Sequence, residues 1–229
     1  MTETTHNPTE DLDATPKWRR RPEARPEEIL SAALEVIGEV GFAEAKLDDV
    51  AHKAGISKGT LYLYFDSKEE LFREMVRNRI GARVAVTEER VNAFQGPARE
   101  ALALFIKSGW DEIRRADMVR IARLIHAEQD RFPELARFYF DEVVLRTRVL
   151  ARGIIQRGIA SGEFRPSALG FAERAIPSLL VHGAMFRRCF GRFDSEPMTE
   201  EQLVEGVIDF ALHGVLAAAP AARAPQGKD

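Results

Sequence analysis

The chain has 229 residues, 45% of them hydrophobic and 30% charged, and a net charge of −3. That length supports a sizeable core in one large or two small domains. A membrane-spanning helix is excluded because no apolar run approaches about 18 residues, an intrachain disulfide because Cys189 is the sole cysteine, and a broadly basic nucleic-acid surface by the charge.

Residues 1–16 hold Pro8, Pro16 and four acids without periodicity, which predicts a disordered tail. The N-terminus has no apolar signal-peptide core, so a cytoplasmic location is expected. Lys17, Arg19, Arg20, Arg21 and Arg25 then fall within nine residues, opposed only by Glu23. Alone this is a solvated charge run. Directly before a DNA-reading motif it predicts a flexible arm for phosphates or the minor groove. Pro26, Glu27 and Glu28 suit a first helical turn. Ile29, Ala33, Val36, Ile37 and Val40 give the following helix an apolar face; Gly41 closes it and Phe42 tucks back.

Residues 46–65, KLDDVAHKAGISKGTLYLYF, read as two short helices about a tight turn. Leu47, Val50, Ala51 and Ala54 form one stripe. Gly55 ends the first helix in a left-handed conformation, Ile56 is a core residue, and Ser57 caps the second helix. That helix starts small and polar (Lys58, Gly59, Thr60) and turns aromatic (Tyr62, Tyr64, Phe65), which suits insertion into a major groove. Ser67 and Glu70 have capping-box spacing for a fourth helix through Leu71, Phe72, Met75 and Val76 to about Val91, with Gly81 a weak point.

After the break at Gln95-Gly96-Pro97 every segment has a helical period. Helices are predicted over 97–115, 117–129, 133 to about 160, 167–190 with a kink at Pro177, and 200–216, capped by Thr199. Leu135, Phe138, Val143, Leu145, Val149, Leu150 and Ile154 make the inward set of the long one. The expectation is an all-α fold of about nine helices, with no strand. The last two are rich in small and apolar residues, which suits either an ordinary core or a homodimer seam over about 168–190 and 200–216. The end from Ala217 is expected to fray. Cys189 reads as a small core residue, with a redox thiol or an intersubunit disulfide as alternatives.

The run GFAEAKLDDVAHKAGISKGTLYLYFDSKEELF resembles the DNA-binding domain of TetR/AcrR-family transcriptional repressors. The match rests on Gly41-Phe42, Val50-Ala51, Ala54-Gly55-Ile56-Ser57, Gly59, Leu61-Tyr62, Phe65, Lys68 and Leu71, within about residues 25–83. The resemblance implies a DNA-binding unit over 17–83, a ligand-binding and dimerisation bundle over 84–218, and a tail over 219–229. It implies a recognition helix over 58–64. Lys58, Gly59 and Thr60 then read the groove, Tyr62 and Tyr64 meet phosphates or bases, and Lys68 binds phosphate. Ser57, Lys46 and the arm residues Arg19, Arg20 and Arg21 complete the expected DNA set. Lys46 departs from the family, which usually carries a capping threonine there, and Asp48-Asp49 places acid beside the reading helix. Lys58 can meet either base edges or the backbone.

The implied function is a ligand-responsive regulator, most simply a repressor. It binds a palindromic DNA operator as a homodimer and is released by a small, hydrophobic inducer. Phe105, Trp110, Ile121, Ile125, Phe138, Leu179, His182 and Phe186 are candidate cavity walls, each also readable as filled core. His126 reads as a surface or helix-end residue. No metal or cofactor is expected: Asp49-x-x-His52 has no second pair, and no phosphate loop or nucleophile elbow occurs. An enzyme, and a sensor that has lost DNA binding, are the competing readings. The latter draws on the charge of residues 17–80, where twelve basic side chains meet twelve acidic ones.

Overall fold

The computed structural model describes residues 25–216. Among the described residues there are nine helices, and the sole extended pairing is an isolated antiparallel bridge between Phe164 and Leu216. The tails and the arm residues Arg19, Arg20 and Arg21 lie outside them.

Helix α1 (Arg25–Glu44) carries Glu27 and Glu28 in its first turn. It breaks at Gly41, whose φ of +84° belongs to the left-handed half of the map. A Cβ there would also sit 2.9 Å from Glu128 Oε1. Ile29, Ala33 and Ile37 are buried, but Val40 is 52% exposed, because the break at Gly41 turns the chain before the last turn reaches the core. Helices α2 (Leu47–Lys53) and α3 (Lys58–Tyr62) follow. Helix α4 runs over 68–93 as Lys68–Val76, a π-turn at Arg77–Gly81, and Ala82–Ala93. Gly81 thus marks a change of helical register, not an end.

Helices α5 (Ala98–Ile113) and α6 (Ala116–Glu128) precede α7 over 133–160, which contains a second π-turn at Phe140–Leu145. Leu145 and Val149, expected inward, are exposed. A π-turn inserts a residue and rotates the face that follows it. Helix α8 (Ala172–Cys189) starts later than the pattern predicts. Pro166–Ala168 form a 3₁₀ turn and Gly170 has φ +96°. Pro177 lies within α8 without ending it. Helix α9 (Glu200–Val215) has the Thr199–Gln202 capping box.

Two apolar cores result. One joins Ile29, Leu61, Leu71, Phe72 and Met75 to Ile121, Leu124, Leu135 and Val143, so α6 and the start of α7 share the core of the N-terminal unit. The other packs the end of α4 with α5, α7, α8 and α9 around Leu102, Phe105, Ile155, Phe164 and Leu180. Helix α4 enters both.

The start of α5 is held from across the chain. Pro97 offers no side-chain cap. The Glu163 carboxylate accepts the Ala98 and Arg99 N–H groups at 3.0 and 3.2 Å and the Ser161 hydroxyl at 3.0 Å. The Ala98 backbone bond foremost holds its pKa below the ordinary carboxylate value, against the opposing effect of burial. Its contribution is therefore complete above the unfolded carboxylate range and lost as pH falls through the folded value. Glu163→Gln should cost about 1 kcal/mol at neutral pH. In urea titrations the deficit should begin to shrink as pH falls below the ordinary carboxylate range, about 4, and vanish once the folded carboxyl is itself protonated.

Candidate functional site

The exposed N-terminal face is built by local signals. Ala51, His52, Gly55 and Ile56 close α2 as a Schellman turn. The Ile56 N–H donates to Ala51 O at 3.0 Å and the Gly55 N–H to His52 O at 3.1 Å, with Gly55 at φ +66°. The Thr60 N–H donates to Ser57 Oγ at 3.0 Å, so Ser57 caps α3. Lys46 takes the cap position of α2 and makes no side-chain cap bond there. The Glu70 N–H donates to Ser67 Oγ at 3.1 Å, but the Glu70 carboxylate accepts from Asp66 N–H at 2.7 Å, one residue before the box position.

Lys46, Ser57, Lys58, Gly59, Tyr62 and Tyr64 are all exposed, with Thr60 half-buried beside them. Helix α3 ends at Tyr62; Tyr64 lies in the turn after it. Leu63, absent from the expected set, is 83% exposed at the C-terminal end of α3. Gly59 meets no internal demand for glycine: a Cβ would come no closer than 3.9 Å, to Ser57 Oγ. Lys58 Nζ sits 2.8 Å from Asp48 Oδ1 and 5.9 Å from the centre of the Tyr62 ring. The Asp48 hydrogen bond chiefly raises its pKa.

Lys68 is turned inward. Its ammonium donates to the carbonyls of Phe42, Ala43 and Ala45 at 2.6, 3.0 and 3.0 Å, and lies 4.7 Å from the Phe42 ring centre. All three of its N–H donors are thereby used, so the lysine expected on a phosphate instead frames the motif.

The larger unit contains a cavity of about 650 Å³ between α4, α5, α6, α7 and α8, within the size range of small-molecule sites. Of the eight predicted wall residues it includes Phe105 and His182. Trp110, Ile121 and Ile125 are buried in the cores. Phe138 lies under the guanidinium groups of Arg73 and Arg77. Leu179 is half-buried away from the cavity, and Phe186 is exposed, stacked between His182 and Phe190. The largest apolar residues filled core positions because close packing leaves no void beside them.

The wall residues that composition alone passed over include nine polar ones: Arg83, Thr87, Glu112, His126, Tyr139, Thr147, Arg148, Arg174 and Ser178. A signal existed. Thr87 and Glu112 interrupt inward apolar stripes, between Val84 and Val91 on α4 and after Phe105 and Ile106 on α5, and both are buried. His126, expected at the surface, is exposed at its outer edge yet also borders the cavity. Burial pushes the Tyr139 hydroxyl up to about 12, so it stays protonated and can donate. Among the described residues no group of three or more His, Cys, Asp or Glu could hold a metal, and no helix is long and apolar enough to cross a membrane.

Residues 29–75 match the family of bacterial regulatory proteins of the tetR type, and residues 100–218 match the C-terminal domain of AefR-like transcriptional repressors. The chain belongs to the TetR family of transcriptional regulators. It is 30% identical over 138 residues to the fatty acid metabolism regulator protein of Bacillus subtilis, covering 60% of this chain and 70% of that one. It is 29% identical over 153 residues to the transcriptional repressor KstR2 of Mycolicibacterium smegmatis, covering 66% and 73%. The Bacillus subtilis regulator FadR, solved in complex with stearoyl-CoA, shares the fold with a TM-score of 0.65 at 23% identity, over 82% of this chain and 98% of that one. These TetR-family relatives are regulators, not enzymes.

Two expectations follow for this TetR-family head. Lys68→Met strands three carbonyls and should lower stability by about 2–3 kcal/mol in urea unfolding. Gly59→Ala should keep or raise the melting temperature, since alanine favours a helix by about 1 kcal/mol over glycine. The same substitution should weaken binding to a specific DNA site at least about tenfold, read by gel shift, because a methyl now stands on the reading surface.

Proposed function

We propose that this regulator is a repressor that binds a palindromic operator as a homodimer and is released by a small hydrophobic molecule held in the 650 Å³ cavity. Residues 17–83 read DNA and residues 84–218 sense the ligand and dimerise. The observation that carries the coupling is the double role of α4. Its first two turns place Leu71, Phe72 and Met75 in the core of the DNA-reading unit, and Arg83, Val84 and Thr87 line the cavity two turns beyond. A ligand that moves the second part of this helix moves the reading head.

The π-turns of α4 and α7 pack against each other at the level between head and cavity. Arg146, just after the second, donates to Gly81 O at 3.4 Å in the first and to Glu88 Oε1 at 3.1 Å. π-turns interrupt the i→i+4 ladder and are points where helices kink, so they give α4 a place to bend. The fold neighbour solved with stearoyl-CoA supports an apolar occupant for a bundle of this architecture.

Dimerisation through α8 and α9 is supported by their outer faces. Phe186 on α8 and Phe210 on α9 are exposed there, as are Phe190 and Phe193 just after α8; Phe210 is 68% exposed and flanked by Gly206 and Gly214, where an added Cβ would meet nothing. Exposed aromatic side chains gathered at the end of α8, where Phe186 and Phe190 pack ring to ring at 5.7 Å, mark a protein contact surface. In the dimer, two α3 helices read successive major grooves about 34–36 Å apart.

Footprinting upstream of the protein's own gene should show a protected, two-fold symmetric site whose binding weakens with salt; no sequence-specific protection would overturn the repressor reading. Phe210→Glu should convert a dimer to a monomer in analytical ultracentrifugation and lower operator affinity at least about 100-fold, since half the contacts are lost.

A further inference from the structure

The cavity wall carries more positive than negative charge, and the excess has no partner within the protein. Arg83 Nη1 is 3.0 Å from Glu112 Oε2, but the same oxygen also accepts from Arg115 Nε at 3.1 Å. Glu173, wholly buried, is shared by Arg152 and Arg174, both at 3.0 Å. Arg148 has neither: among the described residues its guanidinium makes no hydrogen bond and no ion pair, and its neighbour is the Phe140 ring at 6.0 Å. The Nε atoms of Arg83 and Arg148 are both buried without an acceptor. Five arginines on or directly behind this wall thus meet two glutamates.

A buried donor without an acceptor is costly, and more so when charged. Such a group at a cavity wall is matched by whatever fills the cavity. Arg148 stands one helical turn before Arg152 on α7, so it faces the same side as the Arg152–Glu173–Arg174 cluster, where α7 meets α8. The remaining wall is largely apolar, including Phe105, Met118, Val143, Leu180 and Met185.

We infer that the cavity is built for an amphipathic carboxylate, its single anionic head on Arg148 at the α7–α8 end and its apolar body toward α5 and α6. A planar guanidinium suits a carboxylate because two parallel N–H groups match its two oxygens. A neutral hydrocarbon would leave Arg148 unmatched, and a cation would meet the excess positive charge. The inference rests on the cavity being the ligand site, and it adds the charge and orientation of the occupant.

The test is isothermal titration of the full chain with octanoate, dodecanoate and naphthylacetate, each against the primary amide of the same skeleton. At least one carboxylate should bind about tenfold or more tightly than its amide, the loss expected when one charge-assisted pair is removed. Arg148→Gln should abolish that preference and Arg148→Lys should restore part of it. The proposal is overturned if no carboxylate binds, if the amides bind equally well, or if Arg148→Gln keeps the preference. It is also overturned if only the coenzyme A thioesters of these acids bind, since no carboxylate then reaches Arg148. The carboxylate-to-amide ratio on the unaltered protein decides the matter even if the Arg148 variants do not fold. Gel shift with the same compounds separates this from the inducer reading. A carboxylate that binds without changing operator affinity supports the head-group assignment and removes the inducer role.

Discussion

The ammonium of Lys68 is the point on which the arrangement of this regulator depends. Where α1 ends at Glu44, the carbonyls of Phe42, Ala43 and Ala45 lack the helical N–H groups that would have met them. One lysine offers three donors to those three acceptors. The same residue begins α4, so a single side chain fixes the angle between the first helix and the connecting one. Phe42 beneath it packs edge-on against Phe72 and Phe132, and its N–H donates to Glu128 Oε1 at 3.2 Å. The end of α1, the start of α4 and the end of α6 therefore meet at one residue. A head so attached turns as a body when α4 or α6 moves.

That attachment gives the proposed switch its lever. A ligand shifts an equilibrium only by its preference for one state, and going from 1:99 to 99:1 takes about 5.5 kcal/mol. Matching the Arg148 guanidinium supplies part of such a preference if the state without DNA holds the cavity walls closer to the head group. The π-turns matter here because a continuous α-helix resists bending, whereas Arg77–Gly81 is already off the α-helical bonding pattern. Arg146 ties the two π-turns together, so α7, which carries Arg148, is linked directly to α4, which carries the head.

Much of the fold was legible because its punctuation is local. Gly41, Gly55, Ser57, Pro97 and Thr199 each act on backbone groups within a few residues, and each ends or starts a helix as the sequence indicates. The misses share a different cause. Val40, Leu145 and Val149 fit an ideal helical stripe, but a glycine break or a π-turn rotates them outward. The cavity was not legible from large apolar residues, since those fill space. It is the buried polar residues Thr87 and Glu112, awkward in a core, that mark where packing stops. Lys68 was assigned to DNA from its place in a motif. That its donors face three carbonyls some 25 residues earlier depends on tertiary geometry that no local pattern records.

The charge of the reading head follows a similar logic of partners over totals. Lys58, the sole lysine on α3, is not a free cation on this surface, because Asp48 already holds it at 2.8 Å, and its proposed contact with DNA must displace that pair. Contact with a phosphate or a guanine edge is then an exchange of one acceptor for another. The net gain is the difference between two charge-assisted bonds, smaller than the value of either. Such a contact adds little to binding at a wrong sequence, where the new acceptor is poorly placed, and more at the right one. In the proposed operator complex, a head that is neutral overall, with its lysine already paired, would trade non-specific affinity for discrimination.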